Sequence, residues 1–230
     1  MPLNRSTLEV ISSGQMEQLH RATVKILAET GVIFECEEAV DIFRDHGAQT
    51  DGQTVRISEE MLDKALLSAP DTFFHRARNP EHSLYVGHRQ KKLVLSASYG
   101  PVNILDPEQG LRPGTMADYE NLTRLTQAID TINMAGGLPV DPCDADPGRK
   151  CFEMLHRIIR HSDKPVWAFS SPKADIFKMF EMVRMAFGSG KDLFDHHVVA
   201  APVCPLSPLK YSRTSAETLI AYARYGQPLY

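Results

Sequence analysis

The chain has 230 residues and a formal net charge of −4, because its 29 acidic residues slightly outnumber its 25 lysines and arginines. This balance, with no basic run longer than Arg89–Lys92, argues against a nucleic-acid-binding protein. An apolar fraction of 43% is typical of a globular domain, and no apolar run is long enough to predict a membrane span. Met1–Ser6 lacks the apolar core of a signal peptide, so we expect a cytoplasmic protein.

The cysteines give no sign of a disulfide framework or a metal site. They are Cys36, Cys143, Cys151 and Cys204. None forms a CxxC pair, and their spacing fits no standard zinc site. We therefore predict free thiols in a reducing compartment and no bound metal.

Residues 1–71 are predicted to form a compact, mostly helical region. Three stretches carry apolar residues at helical spacing: 14–30, Glu37–Asp45 and Glu59–Ser68. Gly31 is well placed to end the first helix, and Ser58 to cap the third. A turn and a short alternating strand lie between them, in residues 51–57.

Residues 72–130 have a different pattern, with short β-like runs broken by glycine and proline. Residues 102–106 and 110–112 are typical of a hairpin, because turn-forming residues separate two short apolar runs. Thr115 then predicts the start of a helix, with Asp118 as the acid three residues later. We interpret this region as a hairpin-rich segment followed by an entry helix.

Residues 131–230 alternate between strand and helix patterns. The predicted strands are Thr131–Leu138, Val166–Ser171 and Val198–Cys204, and the predicted helices are Gly148–His161, Ala174–Phe187 and Ser212–Tyr225. Such alternation predicts a parallel sheet with functional loops after the strands, as in about half of a TIM-type (β/α)₈ barrel. The spacing also fits a doubly wound sheet, although no phosphate-binding glycine motif follows any strand. The last five residues predict a turn into another strand.

Five groups of residues carry a resemblance to a known family. They are Ile26–Val32, Phe43–Ala48 with Asp51–Glu60, Ala69–Pro80, Tyr99–Val102 with Asp106 and Arg112–Tyr119, and the strand ends Gly136–Pro139 and Pro202–Leu209. In this order the chain resembles the trimethylamine methyltransferase (MttB-like) family. That family comprises corrinoid-protein-dependent methyltransferases and includes glycine betaine methyltransferases.

The resemblance implies both a fold and a reaction. Members are about twice as long as this chain and fold as a (β/α)₈ barrel behind an N-terminal helical region, so the chain matches an N-terminal half. The implied reaction moves a methyl group from a tertiary or quaternary amine to cob(I)alamin on a partner corrinoid protein, with no cofactor bound directly. Two alternatives stay open: an inactive N-terminal fragment of such an enzyme, or a barrel enzyme of unrelated chemistry. An open half barrel also predicts self-association.

A quaternary ammonium has no hydrogen-bond donor, so its recognition requires aromatic faces. The aromatic candidates near strand ends are Tyr99, Trp167, Phe169 and Tyr211. Trp167 and Phe169 lie on one face of a predicted strand, and for these two residues a place in the hydrophobic core is the favoured interpretation. Gly136 and Gly137 would let a substrate approach the backbone closely, or would simply form a tight turn. We predict Tyr99, Gly136, Gly137, Phe169 and Tyr211 as substrate-binding residues.

The other polar candidates have weaker claims. Asp141 and Asp144 would balance an ammonium charge or remain solvated. Ser170 and Ser171 predict a helix cap before a ligand role. Cys204 has no activating base nearby in the sequence. The His196–His197 pair precedes a strand, which predicts a place on the face opposite the site, and the sequence singles out no catalytic residue.

Overall fold

The computed structural model describes residues 10–87, 93–188 and 191–230. The basic run Arg89–Lys92 and the amino-terminal stretch Met1–Ser6 lie outside these residues. Within the described ranges, no helix combines the length and the apolar character that crossing a membrane requires.

Two compact units divide the chain. The first comprises Met1–Ala69 and Ser207–Lys210, and the second comprises Pro70–Leu206 and Tyr211–Tyr230. The candidate site residues all belong to the second unit.

The first unit opens with a helix that has a reciprocal cap at its start. Helix α1 covers Ser13–Lys25; the Ser12 hydroxyl accepts the Gln15 amide hydrogen, and the Gln15 side chain accepts the Ser12 amide hydrogen. One π-helical turn, Ile26–Thr30, follows before Gly31 redirects the chain with a φ of 80°. The helix predicted over residues 14–30 and its terminating glycine are therefore confirmed.

A small antiparallel sheet and two more helices complete the first unit. In chain order they are β1 (Val32–Phe34), α2 (Glu37–Asp45), β2 (Gln49–Asp51), β3 (Thr54–Arg56) and α3 (Glu59–Ser68). Strand β3 lies between β1 and β2 and is antiparallel to both. The Ser58 hydroxyl accepts the Met61 amide hydrogen at 3.2 Å, which confirms the predicted cap of α3.

Two antiparallel hairpins and a helix open the second unit. They are β4 (Thr72–His75), β5 (Leu84–Gly87), β6 (Asn103–Asp106), β7 (Gly110–Pro113) and α4 (Met116–Ala128). Strand β4 pairs with β5, and β6 pairs with β7. The predicted hairpin is therefore confirmed, and so is the predicted cap, in which Thr115 and Asp118 bind each other's amide hydrogens.

Parallel strands alternate with helices in the rest of the second unit. The elements are β8 (Ala135–Gly136), α5 (Lys150–His161), β9 (Val166–Trp167), α6 (Lys173–Phe187), β10 (Val199–Ala200) and α7 (Arg213–Arg224). One more short strand, β11 (Lys210–Tyr211), precedes α7 and is a neighbour of β1 in the sheet order; its first residue, Lys210, is part of the first unit. Strand β9 lies between β8 and β10 and is parallel to both. The bounds of α5, α6 and α7 agree closely with the predicted helices.

The parallel strands are shorter than predicted, and β8 shows why. The predicted run began at Thr131, but Ile132 donates its amide hydrogen to the Ile129 carbonyl oxygen at 3.1 Å, in the turn that ends α4. At the other end, Gly136 and Gly137 have φ values of 104° and 70°, which are not extended. The strand β8 is therefore confined to Ala135–Gly136.

Single parallel pairs extend this arrangement on both sides. Ser96 pairs with Met134, and Ala201 pairs with Leu229. Tyr230 donates its amide hydrogen to the Ala201 carbonyl oxygen at 3.0 Å, so the segment after α7 is strand-like, as predicted. Spatial neighbours therefore follow chain order, although the described residues form no closed barrel.

The main hydrophobic core packs these strands against helices α4 to α7. Its fully or almost fully buried side chains include Tyr119, Leu155, Ile158, Ile176, Phe180, Val199 and Tyr222. Removing a large apolar side chain of this kind from water contributes roughly 1.5–3 kcal/mol to stability. This core fixes where the strands end, and therefore where the loops that follow them lie.

A buried lysine closes the carboxyl end of α4. Lys164 immediately precedes the Pro165–Val166 step into β9 and is only 5% exposed. Its ammonium donates to the carbonyl oxygens of Thr126, Ile129 and Ile132 at 2.8, 2.8 and 2.7 Å. Carbonyl oxygens at the end of a helix lack the amide partners of a continuing helix, so Lys164 is a structural cation that supplies three hydrogen bonds there.

We expect Lys164→Met to lower the free energy of unfolding by about 2–4 kcal/mol, because it leaves buried carbonyl oxygens without a donor. Urea denaturation measures this loss. The matched control is Lys178→Met, whose ammonium is exposed and pairs with Asp175 at 3.2 Å. That change should cost less than about 0.5 kcal/mol. Equal losses in the two variants would contradict the capping role.

A buried histidine lies at the amino ends of the parallel strands. His75, in β4, is fully buried and pairs with His197 just before β10. Burial lowers the pKa of His75 to about 4; the backbone of Val198 opposes this shift, and the nearby His197 adds to it.

The low pKa of His75 predicts that the protein loses stability in acid. The pKa of histidine in the unfolded chain is 6.5. Below this pH, His75 binds a proton in the unfolded chain but not in the folded chain, so the free energy of unfolding falls between pH 6.5 and about 4. We expect a loss of up to about 3 kcal/mol across this window. Urea titrations of the wild type and His75→Gln at pH 7 and 4.5 test this, since the variant should lose less stability. If the wild type and His75→Gln lose the same free energy of unfolding between pH 7 and 4.5, His75 is not the group that causes the loss.

Candidate active site

Two aromatic rings pack against Gly137 at the carboxyl end of β8. A Cβ added to Gly137 would lie 3.2 Å from Tyr99 Cδ2 and 3.3 Å from Trp167 Cε3. A Cβ added to Gly136 would lie 2.2 Å from the Trp167 carbonyl oxygen. Gly136 is therefore required by the close approach of β8 and β9, whereas Gly137 makes room for the two rings.

Three aromatic side chains form a continuous group at this edge, which we call the aromatic cluster: Tyr99, Trp167 and Tyr230. The Tyr99 and Trp167 ring centroids are 5.6 Å apart with an interplanar angle of 35°, and those of Trp167 and Tyr230 are 6.0 Å apart at 66°. Tyr99 is 41% exposed, so the cluster is open to solvent through this residue. The buried Trp167 Nε1 has no hydrogen-bond partner among the described residues.

The backbone beneath the cluster is held by a buried tyrosine. The Tyr119 hydroxyl, on α4, donates to the Gly137 carbonyl oxygen at 3.0 Å. Burial raises the pKa of Tyr119 far above its ordinary value, so the hydroxyl stays protonated and remains a donor. Gly137 also donates its amide hydrogen to the Trp167 carbonyl oxygen at 2.6 Å. The peptide groups before and after Gly137 are therefore both held by hydrogen bonds.

The pKa of the Tyr99 hydroxyl is raised, as expected of a partly buried phenol. Burial raises its pKa, and Cys204 and Asp141 add to the effect in the same direction. Cys204 follows β10 and Asp141 follows β8, so the loops after these two strands approach Tyr99. At neutral pH its ring therefore carries an intact hydroxyl.

The two predicted acids have structural partners. Asp141 forms an ion pair with Lys150 at the start of α5. Asp144 accepts the Met116 amide hydrogen at 2.8 Å, in the first turn of α4. Both carboxylates thus bind chain groups at helix starts, where negative charge is favourable.

The other predicted binding residues lie elsewhere. Phe169 is buried in the hydrophobic core, in agreement with the alternative interpretation of that strand face. Tyr211 is half-buried and lies directly before Ser212, the cap of α7. Their assignment to substrate binding stays a prediction.

The predicted serine cap of α6 is wrong. Pro172 occupies the cap position and makes no side-chain hydrogen bond there. The Lys173 amide hydrogen is accepted by Glu217 of α7 at 2.9 Å, and Ser170 donates its hydroxyl to the Pro202 carbonyl oxygen at 2.6 Å. Ser170 lies too far before the first helical residue to cap it.

The family-model comparison covers almost the whole chain. Residues 2–230 match the model described as "Trimethylamine methyltransferase (MTTB)". The chain belongs to the trimethylamine methyltransferase family. The resemblance carried by the five groups of residues is thereby confirmed.

Relatives within the trimethylamine methyltransferase family are named for several substrates. A glycine betaine methyltransferase of Desulfitobacterium hafniense is 32% identical over 219 residues, covering 95% of this chain and 45% of that protein. A proline betaine:corrinoid methyltransferase of Eubacterium limosum is 28% identical over 233 residues, covering 95% and 46%. A trimethylamine methyltransferase of Desulfitobacterium hafniense is 28% identical over 222 residues, covering 95% and 44%. The chain spans about half the length of these relatives.

Sequence reasoning missed two residues of the candidate site, Tyr119 and Tyr230. Tyr119 follows the acid of a capping box, which marks a helix start and gives no hint of a buried hydroxyl. Tyr230 is the last residue of the chain, and its contact with Trp167 depends on parallel pairing across α7. The βα alternation alone could have placed Tyr230 near β10.

We expect Gly137→Ala to separate the Tyr99 and Trp167 rings and to cost about 1–2 kcal/mol, because the new Cβ meets both rings at a φ of 70°. Trp167 is the single tryptophan, so its fluorescence maximum and quantum yield should change. Gly14→Ala, where nothing lies within 4 Å of the added Cβ, is the control and should leave the emission unaltered. An unchanged spectrum in Gly137→Ala would contradict the ring packing.

Proposed function

We propose that these 230 residues belong to a methyltransferase that moves a methyl group from a tertiary or quaternary amine to the cob(I)alamin of a corrinoid protein. Trimethylamine, glycine betaine and similar amines are the proposed donors. The observation that carries the proposal is the aromatic cluster at the carboxyl ends of parallel segments. The names of three relatives support the same general reaction.

The proposed fold is the opening part of a TIM-type (β/α)₈ barrel. Its support is the chain-order pairing of parallel segments from Ser96 to Leu229, with helices between them. In such a barrel the loops after the strands build the active site. Residues 1–71 would then be the N-terminal helical region, 72–130 the hairpin-rich segment, and 131–230 the first βα units.

The aromatic cluster suits a cation that cannot donate hydrogen bonds. An ammonium carrying only methyl groups and carbon chains is attracted to aromatic faces by the ring quadrupole, and each such contact contributes roughly 0.5–2 kcal/mol. Tyr99 and Trp167 supply these faces, with Tyr99 reachable from solvent. We assign Tyr99, Gly136 and Gly137 to substrate binding, and keep Phe169 and Tyr211 as proposed members of the set.

Methyl transfer from such a cation needs little acid–base chemistry at the site. When a nucleophile takes the methyl group, the carbon–nitrogen bond breaks and its electron pair stays on nitrogen, which leaves as a neutral amine. A quaternary amine needs no proton for this step. The task of the site is then to hold the cation with one methyl group facing the acceptor.

The acceptor is proposed to arrive on a separate protein, so no bound cofactor is assigned to this chain. The name of the proline betaine:corrinoid methyltransferase supports a corrinoid acceptor. All four cysteines are free thiols, which supports a reducing compartment such as the cytoplasm.

Ligand titration of the wild-type chain tests the proposed site directly, because the single tryptophan is in the cluster. Glycine betaine and tetramethylammonium should change Trp167 fluorescence, whereas their uncharged isosteres should not. Tyr99→Phe should bind within a few-fold of the wild type, and Tyr99→Ala about tenfold more weakly, because only the latter removes a ring face. Tyr85→Ala, an exposed tyrosine in β5, is the matched control.

Transfer to free cob(I)alamin separates the proposed activity from its alternatives. Trimethylamine, glycine betaine and related amines are offered to the chain, and formation of methylcobalamin is followed by its absorbance. Binding with transfer supports the proposal. Binding without transfer would indicate an inactive fragment, and a folded chain that binds no methylated amine would indicate unrelated barrel chemistry.

A further inference from the structure

Helix α1 has an apolar face that the described part of the chain leaves uncovered. None of the 13 residues of α1, Ser13–Lys25, is buried against the rest of the described residues. Met16 and Leu19 are 57% and 56% exposed, and Ile26, which follows the helix, is 44% exposed. Their spacing of three and seven residues places these side chains on one face. Because a helix of about this length is only marginally stable alone in water, this face needs a partner.

The same unit contains an open groove between α2 and α3, with a volume of about 700 Å³. Ile42 and Phe43 line it from α2, and Met61 and Ala65 line it from α3. Ile42 is 39% exposed, and α3 has no residue that is buried among those described. Apolar grooves of this kind bind amphipathic helices, whose anchoring side chains are spaced three, four or seven residues apart. The first unit thus presents both an uncovered helix face and a groove that fits it.

The charges of the helix and of the groove are opposite in sign. Helix α2 carries four acidic residues and one arginine, and α3 carries three acidic residues and one lysine. Helix α1 carries two basic residues, Arg21 and Lys25, and one acid, Glu17. The Arg21 and Lys25 side chains are 62% and 71% exposed. Opposite net charges favour the approach of α1 to the groove, and like charges disfavour the contact of one groove with another.

We propose that α1 of one copy of this chain packs into the groove between α2 and α3 of a second copy, and that the exchange is reciprocal. Such an exchange covers both helix faces and fills both grooves, and it closes as a two-fold dimer. Every residue that takes part belongs to the first unit, whereas the candidate site residues belong to the second. The inference is therefore independent of the proposed function.

Sedimentation velocity of the 230-residue chain tests the exchange, and the wild type should be a dimer. The helix variant, Met16→Ser/Leu19→Ser, should raise the dissociation constant about tenfold or more, because it removes the apolar anchors of α1. The groove variant, Ile42→Ser/Met61→Ser, should do the same from the other side of the contact. Both variants should keep the far-UV circular dichroism of the wild type, because none of these four side chains is buried within the described chain.

The matched control is Leu66→Ser/Leu67→Ser. These leucines are 59% and 86% exposed on α3 and are not among the residues that line the groove. The control should therefore dimerise as the wild type does.

Mixing the helix variant with the groove variant tests whether the exchange is reciprocal. A mixed pair keeps one intact contact, between α1 of the groove variant and the groove of the helix variant. The mixture should therefore associate about tenfold or more tightly than either variant alone.

Four results would overturn the proposal. They are a monomeric wild type, a dimer that neither variant weakens, equal loss in the control, and a mixture that associates no more tightly than its components. Leu105→Ser/Leu111→Ser changes two exposed leucines of the β6–β7 hairpin, in the second unit. A dimer that is lost in this variant and retained in the helix variant would place the interface on that hairpin instead.

Discussion

The parallel pairing of β8, β9 and β10 in chain order is the constraint on which the rest of the second unit depends. Because each strand is followed by a helix that returns to the same end of the sheet, the loops after the strands all meet at one edge. The backbones approach so closely at β8 that Gly136 has no room for a side chain. The same approach brings Trp167 over Gly137, and the aromatic cluster follows from it.

Cationic side chains cap helices at the amino ends of the parallel segments, and the candidate site lies at their carboxyl ends. At the amino ends, cationic side chains satisfy the last carbonyls of the helices: Lys164 binds those of α4, and Arg78 donates to Ile159 and Ser162 at the end of α5 at 2.5 and 2.6 Å. At the carboxyl ends, the Trp167 indole nitrogen has no partner among the described residues. These cations stabilise the amino ends, whereas the candidate site lies at the carboxyl ends, as expected when function is grafted on a scaffold.

Local patterns predicted the helices well and the strands less well. Ser58 and Thr115 fixed helix starts because a cap is a contact between near neighbours in sequence. The predicted cap by Ser170 failed because Glu217 on another helix satisfied that helix start. The structure brings Tyr99 and Gly137 together, and their assignment to substrate binding stays a prediction. The hydrogen bond from Tyr119 to Gly137 spans 18 residues, so no local sequence pattern predicts it. Contacts that depend on tertiary packing are invisible to a pattern of neighbouring residues.

The Gln227 side chain joins two segments of the chain by hydrogen bonds to their backbone groups. Its Oε1 accepts the amide hydrogens of Val198 and Val199 at 2.9 and 3.3 Å, and its Nε2 donates to the carbonyl oxygens of His196 and Tyr225, both at 2.9 Å. A primary amide of this length is the natural side chain that offers both polarities here, since glutamate lacks the donor and asparagine lacks the reach. A carboxylate at this position would turn its second oxygen towards two carbonyl oxygens, so the side-chain amide nitrogen of Gln227 is what keeps these two segments from repelling each other.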